Sequence, residues 1–190
     1  MLNADEIAFI LRSSGARVLA VGPDFVGTGR TAIAQDTSVE WTVGLPGEDQ
    51  PAAAVDGVSF EALLHTDASP IIADLDDTLL AQIVYTSGTE TLPKGAMLTH
   101  GAVMWQYVSC IIDGCMQASD VMLHALPLYH CAQLDVFLGP AIYLGATSLI
   151  TGKPVPDNVL ALIAAHKINS FFAPPTIWQS IGAILTEVRS

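Results

Sequence analysis

Tyr85-Thr86-Ser87-Gly88-Thr89-Glu90-Thr91-Leu92-Pro93-Lys94-Gly95 is the stretch whose reading decides the fold. It continues the run Leu80-Ala81-Gln82-Ile83-Val84, which reads as a strand extending through Thr86. Ser87 to Gly95 then reads as a loop. Gly88 and Gly95 allow tight turning and close approach to a ligand. Thr86, Ser87, Thr89 and Thr91 add hydroxyls, and Lys94 adds one positive charge. Main-chain N–H groups, hydroxyls and a single lysine are the donors a polyphosphate requires. In alternating α/β folds, ligands bind beyond the carboxyl ends of strands, and this loop stands at such an end.

The loop is not a Walker A sequence, whose pattern is G-x-x-x-x-G-K-[ST]. Gly88 and Lys94 have the required separation, but Pro93 replaces the second glycine and Gly95 replaces the Ser or Thr. The hydroxyl that would hold magnesium directly after the lysine is missing.

Downstream, Thr99 is placed to cap a helix over His100–Gly114. A strand over Val121–Leu126 follows, then a buried helix over Cys131–Tyr143 despite Pro140. The order continues with a strand at Ala146–Ile150, a helix at Pro156–His166 and a strand at Asn169–Ala173. Pro174-Pro175 opens a last helix. From Gln82 onward this alternation predicts an α/β fold with a largely parallel sheet flanked by helices. Upstream, Asn3 and Glu6 have the spacing of a capping box. Ile7, Ile10 and Leu11 form the apolar stripe of a first helix, Gly15 ends it, and Arg17–Val21 reads as a strand. Residues 22–80 are less regular. Gly22, Gly27 and Gly29 miss the dinucleotide fingerprint and read as a turn-rich loop.

Of the 190 residues, 51% are hydrophobic and only 14% charged, against about 25% charged in average domains. A membrane span does not explain this. The longest apolar stretch, Val136–Ile150, is broken by Gly139, Pro140 and Gly145, and a spanning helix needs about 20 mostly apolar residues. The start of the chain lacks the basic and apolar regions of a signal peptide. The expectation is an incomplete portion of a soluble domain. The formal net charge of −12 argues against nucleic acid and anionic membranes, which attract basic patches. Cys110, Cys115 and Cys131 are odd in number and lack a C-x-x-C pair, so a reducing, cytoplasmic setting fits best.

The stretch from Tyr85 to Gly95 resembles the signature loop of the adenylate-forming (AMP-binding) superfamily, which includes acyl-CoA synthetases. That pattern is Y-T-S-G-T-T-G-x-P-K-G, usually followed by Thr-His or Ser-His, here Thr99-His100. Nine of the eleven positions match, counting the free one. Leu126-Pro127-Leu128-Tyr129-His130, Leu144-Gly145-Ala146-Thr147 and Phe172–Gln179 also resemble segments of that family, as does Asp5–Val21. The resemblance implies a partial N-terminal domain over residues 1–190, with the phosphate loop at 85–95. It implies activation of a carboxylate by ATP as acyl-AMP, then transfer to coenzyme A. Thr86, Ser87, Gly88, Thr89, Glu90, Thr91 and Lys94 would hold ATP, with Thr86 near Mg2+. His130 would lie near the acyl pocket, with a structural role at a strand end as its alternative. The acyl substrate, fatty or aromatic, stays open. No Tyr-Gly-x-Thr-Glu segment is present. The start of the N-terminal domain and the C-terminal domain with its catalytic lysine would lie outside this chain. The chain alone is therefore expected to be inactive or a weak nucleotide binder.

Two departures stand out: Glu90 replaces the second Thr of the pattern, and Thr91 replaces its Gly. A carboxylate about 5 Å from a phosphate charge is repelled by roughly 3 kcal/mol at an effective dielectric near 20. Glu90 is thus expected to turn away, to weaken ATP binding or to meet Mg2+, and we take it as a magnesium ligand. Two other readings compete. Asp74-Leu75-Asp76-Asp77-Thr78 resembles the D-x-D-x-T loop of haloacid dehalogenase-like phosphatases, with Asp74 as nucleophile and Asp76 as acid/base. That reading needs a buried strand before Asp74. The other is a non-catalytic binding module. A metal site from His124, His130 and Cys131 lacks zinc spacing.

Overall fold

The computed structural model describes residues 2–47, 50–65, 69, 72–86 and 92–187. The chain divides into two compact units. One comprises Met1–Asp76 with Gln82–Leu98, the other Asp77–Ala81 with Thr99–Ser190.

In the first unit, helix α1 (Ala4–Ser14) starts on the expected capping box. Asn3 Oδ1 accepts from the Glu6 N–H at 2.9 Å, and Glu6 Oε2 accepts from the Asn3 N–H at 2.8 Å. Gly15 ends it in the left-handed conformation, φ 65°. Strand β1 (Val18–Val21) leads through the 3-10 turn Pro23–Phe25 into α2 (Val26–Ile33). Gly27 and Gly29 are therefore helical, not loop. Packing overrides weak helix propensity here: a Cβ on Gly29 would already touch Val21 Cγ2 at 3.4 Å. Strands β1, β2 (Trp41–Gly44) and β3 (Val58–Ser59) form a parallel sheet in that order. Helices α1 and α2 bury Ala8, Leu11 and Ala32 together. A short helix α3 (Phe60–Leu64) follows, with Ser59 as its cap.

β4 (Leu80–Thr86) and β5 (Lys94–Thr99) pair as a separate two-stranded sheet. The sequence reading placed Lys94 and Gly95 in a loop and did not anticipate β5.

In the second unit, α4 (His100–Asp113) begins at Thr99, whose Oγ1 accepts from the Ala102 N–H at 3.2 Å. β6 (Val121–His124) then enters the core, shorter than the expected Val121–Leu126. The expected helix over Cys131–Tyr143 is two pieces: a π-helix, Ala132–Leu138, continuing into α5 (Gly139–Leu144). Pro140 sits at the junction between the π-helix and α5, in the first turn of α5. β7 (Thr147–Ile150), α6 (Pro156–His166), β8 (Ser170–Phe171) and α7 (Pro175–Glu187) complete the alternation. The sheet runs β7-β6-β8, and both pairings are parallel, as expected. Its core joins Leu123 and Ala125 to Val159 of α6 and Ile181 of α7. Among the described residues, no helix is long and apolar enough to cross a membrane.

Candidate functional site

Thr86 is the last residue of β4 and Lys94 the first of β5, and both are exposed. They flank the expected phosphate loop. Ser87, Gly88, Thr89, Glu90 and Thr91 lie outside the described residues. Gly95 has a packing reason to be glycine: a Cβ there would come within 2.8 Å of Ile83 Cγ2 and 3.1 Å of Tyr85 Cζ. The backbone of β5 thus lies directly on the side chains of β4. Tyr85 in turn donates its hydroxyl hydrogen to the Ile10 main-chain oxygen at 3.5 Å. The lysine and the threonine are therefore carried on paired backbone, which limits how far either can wander.

The second unit has a strand order at which ligands commonly bind in α/β folds. From β6 the chain steps to β7 on one side, then crosses to β8 on the other. In α/β folds a reversal of strand order is where a crevice commonly forms beyond the carboxyl ends of the strands. The segment leaving β6 carries Leu126-Pro127-Leu128-Tyr129-His130. His130 is exposed there, and its Nδ1 accepts from the Ala132 N–H at 3.2 Å. The proton of the neutral ring then sits on Nε2, which makes Nε2 a donor. Its main-chain oxygen accepts from the N–H groups of Gln133 and Leu134 at 3.0 and 3.2 Å. Across this strand end Phe137 of the π-helix stacks on Phe172, just beyond β8, with ring centroids 4.3 Å apart.

Three polar side chains that sequence reasoning did not use as a group are buried at this end of the second unit: His124, Gln133 and Asp135. Gln133 Nε2 donates to His124 Nδ1 at 2.7 Å, and His124 Nε2 lies 3.2 Å from Ser148 Oγ. Burial lowers the His124 pKa from the ordinary histidine value, so the ring is neutral at neutral pH. Gln133 Oε1 and Asp135 Oδ1 are buried with no hydrogen-bond partner. Asp135 and burial together raise the Tyr107 pKa, burial being the larger cause. The ring of Tyr107 lies where a Cβ on Gly139 would sit. The one signal of this cluster in the sequence was the presence of polar residues inside an apolar run.

Both nitrogens of His124 are taken by Ser148 and Gln133, so the set His124, His130 and Cys131 is not a metal site. Among the described residues no three His, Cys, Asp or Glu side chains group for a metal. The three cysteines are free. Asp74 and Asp76 are exposed in irregular backbone, and the described residues before Asp74 form no strand. The phosphatase reading therefore lacks the support its nucleophile requires. The first unit also holds a cavity of about 300 Å³ between α2 and β2, lined by Val21, Ile33, Trp41 and Arg30 among others. No described residue of 85–95 lines it.

The family model described as AMP-binding enzyme matches residues 1–189. A feruloyl-CoA synthase from Amycolatopsis sp is 30% identical over 182 residues, covering 96% of this chain and 33% of that protein. A 4-coumarate–CoA ligase from Petroselinum crispum is 34% identical over 134 residues, covering 66% of this chain and 24% of that protein. The crystal structure of ATP-bound MatB from Rhodopseudomonas palustris superposes with a TM-score of 0.76 at 24% identity. It covers 95% of this chain and 34% of that one. This chain thus spans about a third of the length of the feruloyl-CoA synthase it matches.

Proposed function

The chain belongs to the AMP-binding enzyme family, and from that membership we propose that it supplies the phosphate grip and part of the acyl site of an ATP-dependent carboxylate–CoA ligase. The observation that carries the proposal is the segment from Tyr85 to Gly95, with Thr86 and Lys94 exposed on the paired strands β4 and β5. In the first half-reaction the substrate carboxylate attacks the α-phosphorus of ATP, and pyrophosphate leaves. Acyl-AMP results. In the second, the thiol of coenzyme A attacks the acyl carbon and AMP leaves. Both steps demand positioning and charge stabilisation more than covalent help from the protein.

The roles follow from the donors. Lys94 and the hydroxyls and N–H groups of residues 86–91 bind the β- and γ-phosphates and hold the leaving pyrophosphate in line. Mg2+ enters with ATP and neutralises phosphate charge when bound. It takes hard oxygen ligands, few of them from protein. The Thr86 hydroxyl at the end of β4 suits it, and Glu90 supplies the carboxylate. His130, with Nε2 as donor, and the stacked pair Phe137–Phe172 are the parts of the acyl site. Their apolar faces suit a carboxylic acid with an apolar body, fatty or aromatic.

The test is ATP–pyrophosphate exchange in a chain of the relatives' length that carries these residues. Lys94→Ala is expected to lower exchange about 100-fold, the scale of losing one charge-stabilising donor. Exchange at the unsubstituted rate would contradict the proposal. Replacing Glu90 by Gln is expected to weaken the magnesium dependence of ATP binding, and an unchanged dependence removes Glu90 from the metal.

A further inference from the structure

The chain of hydrogen bonds Ser148–His124–Gln133 has no part in the reaction as written above, yet it ties three elements of the second unit together. His124 is the last residue of β6, Ser148 lies on β7, and Gln133 stands in the first turn of the π-helix. Gln133 is held twice. Its side chain reaches His124 at 2.7 Å, and its main-chain N–H reaches the His130 oxygen at 3.0 Å. We infer that His124 and Gln133 are positioning residues whose hydrogen bond holds the π-helix in register and so sets the acyl site that His130 and Phe137 face. The inference rests on the reading of this strand end as the acyl site.

Three observations support it. A π-helix of seven residues is rare and needs tertiary support, and such turns concentrate at functional sites. The tether is also directional. Turning the Gln133 amide over would place Oε1 on His124 and leave a buried NH2 group bare. A bare carbonyl oxygen is the more tolerable orphan, and Oε1 is the atom left without a partner. The proton of His124 therefore sits on Nε2, where Ser148 Oγ accepts it. Finally, two apolar side chains of similar volume would fill the same space without that polar cost. A buried polar pair specifies one arrangement where an apolar pair would allow several.

The first readout is amide hydrogen exchange of the 190-residue chain, with His124→Leu, Gln133→Leu and the double substitution. Each single variant is expected to speed exchange about tenfold at residues 134–138 while β6 and α6 stay protected. The double variant is expected to add nothing further, because the two side chains act as one unit. Unchanged exchange at 134–138 in both single variants overturns the inference. Gln133→Met covers the case in which a leucine variant fails to fold. It keeps the volume and removes the donor, so His124 Nδ1 is expected to lose its hydrogen bond, visible as a shift of its 15N ring signal. An unshifted Nδ1 signal overturns the tether.

The second readout is steady-state kinetics of Gln133→Leu in a chain of the relatives' length. KM for dodecanoate or ferulate is expected to rise about tenfold, with KM for ATP unchanged. Faster exchange with an unchanged carboxylate KM would show that the tether exists but that this strand end is not the acyl site. The positioning role would then fall with that reading. A rise in ATP KM alone would overturn it as well.

Discussion

Two strand ends in this chain treat polar groups in opposite ways. Beyond β4, Thr86 and Lys94 are exposed, and even Met97 on β5 is 70% exposed. Beyond β6, the polar side chains His124, Gln133 and Asp135 are buried, and aromatic rings stack. On the proposed reading the first end meets a highly charged, hydrated phosphate, which suits the exposure of Thr86 and Lys94. On the proposed reading the second end presents shape to an apolar body, and the buried pair His124–Gln133 fixes its wall while His130 stays exposed. The first end should thus tolerate substitution without loss of stability, and the second should not.

The contrast can be broken at several strengths. Leu123→Ala, in the core beneath the β6 end, is expected to cost about 2–5 kcal/mol by urea unfolding. A loss under about 1 kcal/mol would mean that the second unit is not packed as described. Gly139→Ala is next, because its new methyl would meet the Tyr107 ring. About 1–3 kcal/mol is expected, read as a lower melting temperature. Thr99→Ala removes the cap of α4 and is expected to cost about 1 kcal/mol, read by the same urea titration. The smallest effect belongs to Glu40→Gln. Arg17 and Glu40 form a paired ion bridge at 2.6 Å, but both are well exposed, and no measurable change in melting is expected at neutral pH. Hydrogen bonds from Arg17 lower the Glu40 pKa. Any contribution is therefore present above the ordinary carboxylate range and lost as pH falls through the lowered value.

Local chemistry was readable where one residue decides the outcome. Asn3 with Glu6, Gly15, Thr99 and Pro175 each mark a helix end by their own geometry, and each marks it in the structure. The parallel alternation from β6 to β8 was readable because buried strands and amphipathic helices have different periods. β5 was not readable, because a strand formed by main-chain pairing with both faces exposed needs no alternation, and Lys94–Met97 shows none. The π-helix was not readable either. Over the seven residues 132–138, the change from 3.6 residues per turn displaces the apolar stripe too little to register. α2 was missed because Gly29, which packs it onto β1, and Gly27 are the residues that most weaken helix propensity. At the candidate site, Thr86 and Lys94 were singled out through the motif, and the structure places them on paired strands. Gln133 was missed because its meaning depends on His124, nine residues away and on another element.

The central claim is that the segment from Tyr85 to Gly95 recognises polyphosphate. Its most direct test is chemical-shift mapping of backbone amides in the 190-residue chain, titrated in parallel with magnesium pyrophosphate and with adenosine. Pyrophosphate is expected to move the amides of residues 86–95 and adenosine to leave them in place. Amides at 86–95 that ignore pyrophosphate, or that answer to adenosine instead, would contradict it.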